Sequence, residues 1–215
     1  MAAVKPSLAK KLSRRDRARA TRQRIISAAY RLFCDNGYAG TTMADVANAA
    51  GVAVQTVYFT FHTKTELLAG AYEYAVLGAE NPLPPQEQPW LRAAIGEPDF
   101  DRALRSIATG SAEITARATP LESVVRATAS SDPDVEQVWT YHEKLRLQGY
   151  RGMIDVLTMK APLAAGMNPE KATELLLLYM GPHTYRGLVI DYNWTKEAYV
   201  EWVISSVSRE IFGRG

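Results

Sequence analysis

The run from Thr41 to Glu66, TTMADVANAAGVAVQTVYFTFHTKTE, constrains the fold more than any other part of the chain. Thr42 stands three residues before Asp45, the spacing at which a hydroxyl caps a helix and a carboxylate answers the cap's own N–H. Met43, Val46, Ala47 and Ala50 then recur at i, i+3, i+4 and i+7, a narrow apolar stripe on a short helix. Gly51 falls where the backbone must leave that helix, and glycine takes φ > 0 without steric cost. A second helix over about 54–60 buries Val57, with Phe61 beyond it, and leaves Gln55, Thr56, Tyr58 and Phe59 for other faces. Thr63 and Glu66 repeat the capping pattern, with Lys64 at the first helical position. Two helices joined through a glycine turn are the sequence form of a helix-turn-helix.

A recognition helix reads bases with its N-terminal residues and reaches phosphates with polar groups at its margins. Gln55 is placed to bond adenine N6 and N7, while Val54 and Phe59 are placed against thymine methyls. Thr41-Thr42, Asp45, Val46, Ala47, Ala50-Gly51-Val52, Thr56-Val57-Tyr58, Phe61, Lys64 and Glu66-Leu67-Leu68 together resemble the TetR family of one-component transcription regulators. The resemblance implies that Thr42, Tyr58 and Lys64 hold DNA phosphates, with Thr56 among the DNA-facing residues. The chain departs from the commoner family pattern at Ala53 and Val54, where a serine cap and a polar or basic residue are usual. Alanine is a poor N-cap, at a loss of roughly 1 kcal/mol.

Charge adds a second argument. The net charge is only +2, but residues 1–24 hold nine basic side chains against one acid, Asp16, so the remainder is acidic. A polycation on an acidic body points to a nucleic-acid arm, the alternative being a solvated, disordered tail with no partner. Residues 1–16 are read as a disordered basic arm, and Arg14, Arg15, Arg17 and Arg19, at its end and just beyond it, as DNA contacts. The single cysteine, Cys34, excludes an intrachain disulfide and reads as a small buried hydrophobe. No apolar signal core and no membrane-length apolar run occur, so a cytoplasmic location is expected, without a membrane partner.

Helical periodicity continues to the C-terminus, and no period-two strand pattern competes. The chain is expected to be all-α, with about nine helices. A homeodomain-like three-helix unit and a connecting fourth helix occupy 17–78. Helix 1 starts near 17–21 and ends at Gly37. A proline-rich loop, 79–98, contains one helical island, Leu91–Ile95. A helical domain fills 99–215. Within it one helix runs to about 118, Pro120 opens a shorter one, and a long helix runs from Asp132-Pro133 to about 163. Asn168-Pro169 opens the next helix, Gly181-Pro182 kinks or restarts it, and Thr195 caps the last.

His62, His142 and His183 lie far apart without metal or catalytic spacing, so no metal, cofactor or catalytic residue is expected. The helices of 99–191 resemble the family's effector-binding domain in length and order. By position, Tyr72, Ile107, Ser111, Trp139, His142, Met153 and Tyr179 are the candidates for an apolar ligand pocket. The resemblance further implies a four-helix homodimer interface from the last two helices, with Tyr185, Leu188, Val189, Trp202, Val203, Ser206 and Val207 in it. The expected function is a ligand-responsive regulator, usually a repressor in this family, released from a palindromic operator by a small-molecule effector. The alternatives are a dimeric DNA-binding protein without a ligand, and an enzyme in the C-terminal helices.

Overall fold

The computed structural model of the chain describes residues 13–78, 83 and 87–214, which are helical almost throughout and contain no strand. Helix α1 (Arg14–Asn36) starts earlier than its apolar periodicity indicates. Ser13 and Asp16 close a reciprocal capping box, so Arg14 and Arg15 are helical and the one acid of the basic segment is a cap residue. The expected disordered arm is corrected to that extent. Lys5, Lys10 and Lys11 lie outside the described residues.

Helices α2 (Met43–Ala50) and α3 (Val54–Thr60) follow. They meet at Gly51, whose φ of 63° and ψ of 44° are left-handed and which therefore favours glycine. Helix α4 (Lys64–Leu77) is capped by Thr63 and crosses from this unit towards the body. Ile25, Ala29, Phe33, Val46, Ala47, Val57, Phe61, Leu67 and Leu68 are buried in one shared core. That core does not end with the unit: Leu121, Val125 and Val135, from the body, complete it.

The proline-rich stretch holds a packed helix, α5 (Pro89–Gly96), with proline at its first position. Its Trp90 lies directly on Gly110, where a Cβ would fall 2.1 Å from the indole, so only glycine admits the contact.

Helix α6 (Phe100–Ala129) is continuous through Pro120, against the expected break there. Proline removes one intrahelical bond, yet Leu121, Glu122 and Val125 beyond it are buried and hold the helix in line. The Thr119 hydroxyl donates to the Thr115 carbonyl at 2.6 Å on the same turn.

Helix α7 (Pro133–Thr158) stops short of the expected end near 163. Helix α8 (Pro169–Met180) is capped by Asn168. Gly181-Pro182 restarts the chain as α9 (Pro182–Tyr185), which passes into a π-helical segment, Arg186–Asp191. Helix α10 (Lys196–Ser206), capped by Thr195, ends in a second π-helical segment, Val207–Ile211. A second core gathers Leu104, Ile107, Ile154, Leu157, Leu176, Tyr199, Val203 and Val207. No described helix is long and apolar enough to cross a membrane.

Candidate nucleic-acid interface and effector cavity

Helix α3 divides cleanly into two faces. Val57 and Phe61 are buried, while Gln55 is exposed, Tyr58 is 52% exposed and Phe59 is 86% exposed. Positions 55, 58 and 59 stand at i, i+3 and i+4, so their side chains share one outward patch. An exposed tyrosine and phenylalanine side by side on a short helix are an unfavourable surface unless something covers them. Val54 and Thr56 are half-buried: Val54 packs against the core, and the Thr56 carbonyl accepts the Thr60 hydroxyl at 2.7 Å. They flank the patch rather than form it. As its sequence indicates, Ala53 gives α3 no side-chain cap.

Two residues expected to grip phosphate are engaged within the fold. The Thr42 backbone N–H and hydroxyl both donate to Asp45, at 2.9 and 2.6 Å, and the Asp45 N–H returns to the Thr42 hydroxyl at 3.1 Å. These two donors hold the Asp45 carboxyl below its ordinary pKa. Lys64 sits at the first position of α4, but its Nζ donates to the carbonyls of Tyr38 and Thr41 at 2.8 and 3.2 Å and lies 4.1 Å from the centre of the Tyr38 ring. Both side chains tie the α1–α2 link to its neighbours, where the sequence resemblance assigned them to DNA.

Arg14, Arg15, Arg17 and Arg19 are exposed on the first turns of α1. Arg22 is held differently, with its guanidinium 4.3 Å over the Phe61 ring. Cys34 is half-buried beside Tyr30, and burial pushes its thiol up to about 11, which keeps it protonated.

A cavity of about 360 Å³ opens between α4, α6 and α7. Of the seven candidates, Tyr72, Ser111, His142 and Met153 line it. Ile107 does not, being fully buried in the body core. Trp139 stands behind the wall, its ring 5.6 Å from the Arg146 guanidinium, and Tyr179 packs against Trp202. Sequence reading missed Arg146, Tyr150, Thr115 and Gly149. Arg146, Gly149 and Tyr150 follow His142 on the inner face of α7 at helical spacing, the signal that could have found them.

The Arg146 Nη2 donates to the Tyr72 hydroxyl at 2.9 Å and lies 2.7 Å from Glu143 Oε1, a close ion pair whose N–H is not aimed at that oxygen. The His142 ring lies 4.4 Å from the Tyr72 ring. Burial first, and then the Arg146 charge, pushes His142 down to about 4, so its imidazole is neutral at pH 7. Tyr72 belongs at once to the cavity wall and to the core of the helix-turn-helix unit. Two further ties join that unit to α6: Arg117 Nε donates to the Ala75 carbonyl at 3.1 Å, and the Tyr30 hydroxyl donates to the Arg117 carbonyl at 2.8 Å.

The expected interface residues split. Tyr185, Val203, Ser206 and Val207 are buried within the chain, because they face the body core, and are corrected to core positions. Leu188, Val189 and Trp202 are half-buried. The outward apolar groups of this region are Leu178, Ile190, Tyr192 and Trp194.

Residues 25–71 match the model of the family described as bacterial regulatory proteins, tetR family. The HTH-type transcriptional regulator TtgR of Pseudomonas putida is 44% identical over 54 residues, which cover 25% of this chain and 26% of that protein. The match therefore spans about a quarter of that relative's length. Over most of the chain the likeness is one of fold. NalD of Pseudomonas aeruginosa, the secondary repressor of the MexAB-OprM multidrug efflux pump, superposes with a TM-score of 0.66 at 18% identity, covering 91% of this chain and 98% of its own. FadR of Bacillus subtilis, solved in complex with stearoyl-CoA, gives a TM-score of 0.65 at 17% identity, covering 86% of this chain and 96% of its own. The N-terminal unit, residues 25–71, thus matches the tetR family by sequence, and the remainder of the chain shares the fold of these solved regulators.

Proposed function

We propose that the chain is a transcriptional regulator of the repressor kind, binding double-stranded operator DNA as a homodimer and responding to a small molecule held between α4, α6 and α7. The observation that carries the DNA reading is the exposed patch of Gln55, Tyr58 and Phe59 on a helix whose opposite face is buried, inside a capped helix-turn-helix. Such a helix enters the major groove with these side chains at the base edges. Arg14, Arg15, Arg17 and Arg19 add charge that favours the phosphate backbone.

The apolar groups Leu178, Ile190, Tyr192 and Trp194 support pairing of two chains, since large apolar side chains left exposed on neighbouring elements are candidates for cover at an interface. Two copies then present two reading helices to half-sites one helical turn apart or a multiple of it. The effector reading rests on the cavity, and on the precedent of a bound acyl-CoA in the FadR structure of the same fold. A molecule that shifts Tyr72 displaces α4, and with it the reading helix, provided it binds the released conformation more tightly.

Selection from a pool of random duplexes tests the DNA reading. The protein is expected to enrich a palindromic site. Gln55→Ala is expected to cost about 1–3 kcal/mol per half-site and to relax the preference at one base pair, with binding to unrelated DNA unchanged. A protein that enriches no sequence overturns the reading.

A further inference from the structure

One half-buried cation faces the cavity, Arg146, and its charge is already balanced. Glu143 lies 2.7 Å from its Nη2. A second carboxylate, Glu122, is buried one turn along α6 from Ala118 of the cavity wall, and its field reaches Arg146. Burial raises the Glu122 pKa. Glu122 lies in the field of Arg126, which is not part of the cavity wall, as well as in that of Arg146. Arg146 is the one Lys or Arg in the cavity wall and Glu143 beside it matches its charge, so no uncompensated positive charge faces the cavity. An entering anion would lose its hydration and find no counter-ion, a heavy penalty in a low-dielectric site.

The hydrogen-bonding inventory points the same way. The Tyr150 and Thr115 hydroxyls both donate to the Met180 carbonyl, at 3.0 and 3.2 Å. Tyr72 accepts from Arg146 and donates to no group among the described residues; Arg146 Nε and Nη1 are likewise without an acceptor there. At the Tyr72–Arg146 pair the unfilled capacity is therefore donor capacity, while Glu143 Oε1 beside it is a buried acceptor with no donor aimed at it. Val76, Leu77, Ile114, Ala118, Leu145 and Met153 supply the apolar remainder of the wall. Gly149 leaves room beside them, since a Cβ there would meet nothing within 4 Å. The volume falls in the range of sites for drug-sized molecules.

We infer that the cavity takes an uncharged, largely apolar molecule bearing a carbonyl oxygen, held by Tyr72 and Arg146, and that it discriminates against a carboxylate of the same shape. The inference rests on the reading of this cavity as the effector site. It excludes the commonest reason for placing an arginine in a binding site, the capture of an anion, because Glu143 has taken that role.

Three naphthalenes of one shape test it on the full chain by isothermal calorimetry at about neutral pH: 2-acetylnaphthalene, 2-naphthoate and 2-naphthylmethylammonium. The ketone is expected to bind about tenfold or more tighter than either ion, a margin set by one buried unpaired charge. Glu143→Gln frees the guanidinium and is expected to strengthen naphthoate binding by about tenfold while leaving the ketone within about twofold. Tyr72→Phe is expected to weaken the ketone by about fivefold, the loss of one hydrogen bond. Should Glu143→Gln fold poorly, the ranking of the three naphthalenes on the unaltered protein and the loss in Tyr72→Phe still decide the assignment. Naphthoate or the ammonium ion binding the unaltered protein as tightly as the ketone overturns the charge assignment and leaves the effector cavity standing. Binding by none of the three overturns the assignment together with the effector reading.

Discussion

At the scale of single residues, His142 connects burial to a measurable pH dependence. Its folded-state value, about 4, lies below the ordinary 6.5. Between those two values the unfolded chain takes up a proton that the folded chain refuses, so folding stability falls as pH drops through that window. About 3 kcal/mol is at stake over the full shift. The raised Glu122 works in the opposite sense, favouring the fold as pH falls, and offsets part of the loss. Thermal unfolding at pH 7.5 and pH 5 is expected to show a larger drop for the unaltered protein than for His142→Phe; equal drops would place the imidazole in water. Lys64 supports a second prediction. Its two bonds to the Tyr38 and Thr41 carbonyls make Lys64→Met a stability variant, at about 1.5–3 kcal/mol, as well as a DNA-binding one. Weaker DNA binding with unchanged thermal stability would return the ammonium to the phosphate. The sequence identified this lysine as special but not its partner, because a carbonyl twenty-six positions back leaves no trace in local spacing.

At the scale of elements, caps and the Gly181-Pro182 restart were legible, and the continuity through Pro120 was not. Thr42, Thr63, Asp132, Asn168 and Thr195 all cap helices as their spacing indicates, since a cap is a short-range bond between neighbours. Ser13 with Asp16 obeys the same rule and was obscured by the basic residues around it. Pro120 misled for the opposite reason: whether a proline breaks a helix depends on what the far side buries, and Leu121 and Val125 pack against residues distant in sequence. Lining residues of the cavity were half legible on the same grounds, with Tyr72, Ser111, His142 and Met153 found and Arg146 lost because its counter-charges come partly from another helix. The missing cap of α3 yields a prediction. Ala53 has the extended backbone of an N-cap, φ −68° and ψ 147°, without a side chain to use it. Ala53→Ser is expected to stabilise the protein by about 1 kcal/mol, a rise of roughly 2–4 °C in Tm. No change, or a fall, would show that the first turn of α3 is satisfied by other means.

At the scale of the whole molecule, the outward and inward faces of α8 to α10 separate assembly from folding. Leu178 is 54% exposed and Tyr192 is 74% exposed, whereas Val203 is 1% exposed. Leu178→Glu is expected to leave the thermal unfolding of the subunit intact and to halve the mass in sedimentation, because only a seam between chains is charged. Val203→Glu, by contrast, buries an unpaired carboxylate inside one chain and is expected to cost several kcal/mol of fold stability. A dimer that survives Leu178→Glu would move the seam off this surface.

The completion of the helix-turn-helix core by Leu121, Val125 and Val135 bears on how the molecule can be taken apart. A fragment ending at Gly78 would expose the apolar faces those three side chains cover, so the reading head is not an autonomous folding unit. Calorimetry of the intact chain should then register one heat-absorption peak, the head melting with the body. Anyone transplanting this head onto a different sensor body must therefore carry over the end of α6 and the first turn of α7, or repaint the acceptor's surface to match them.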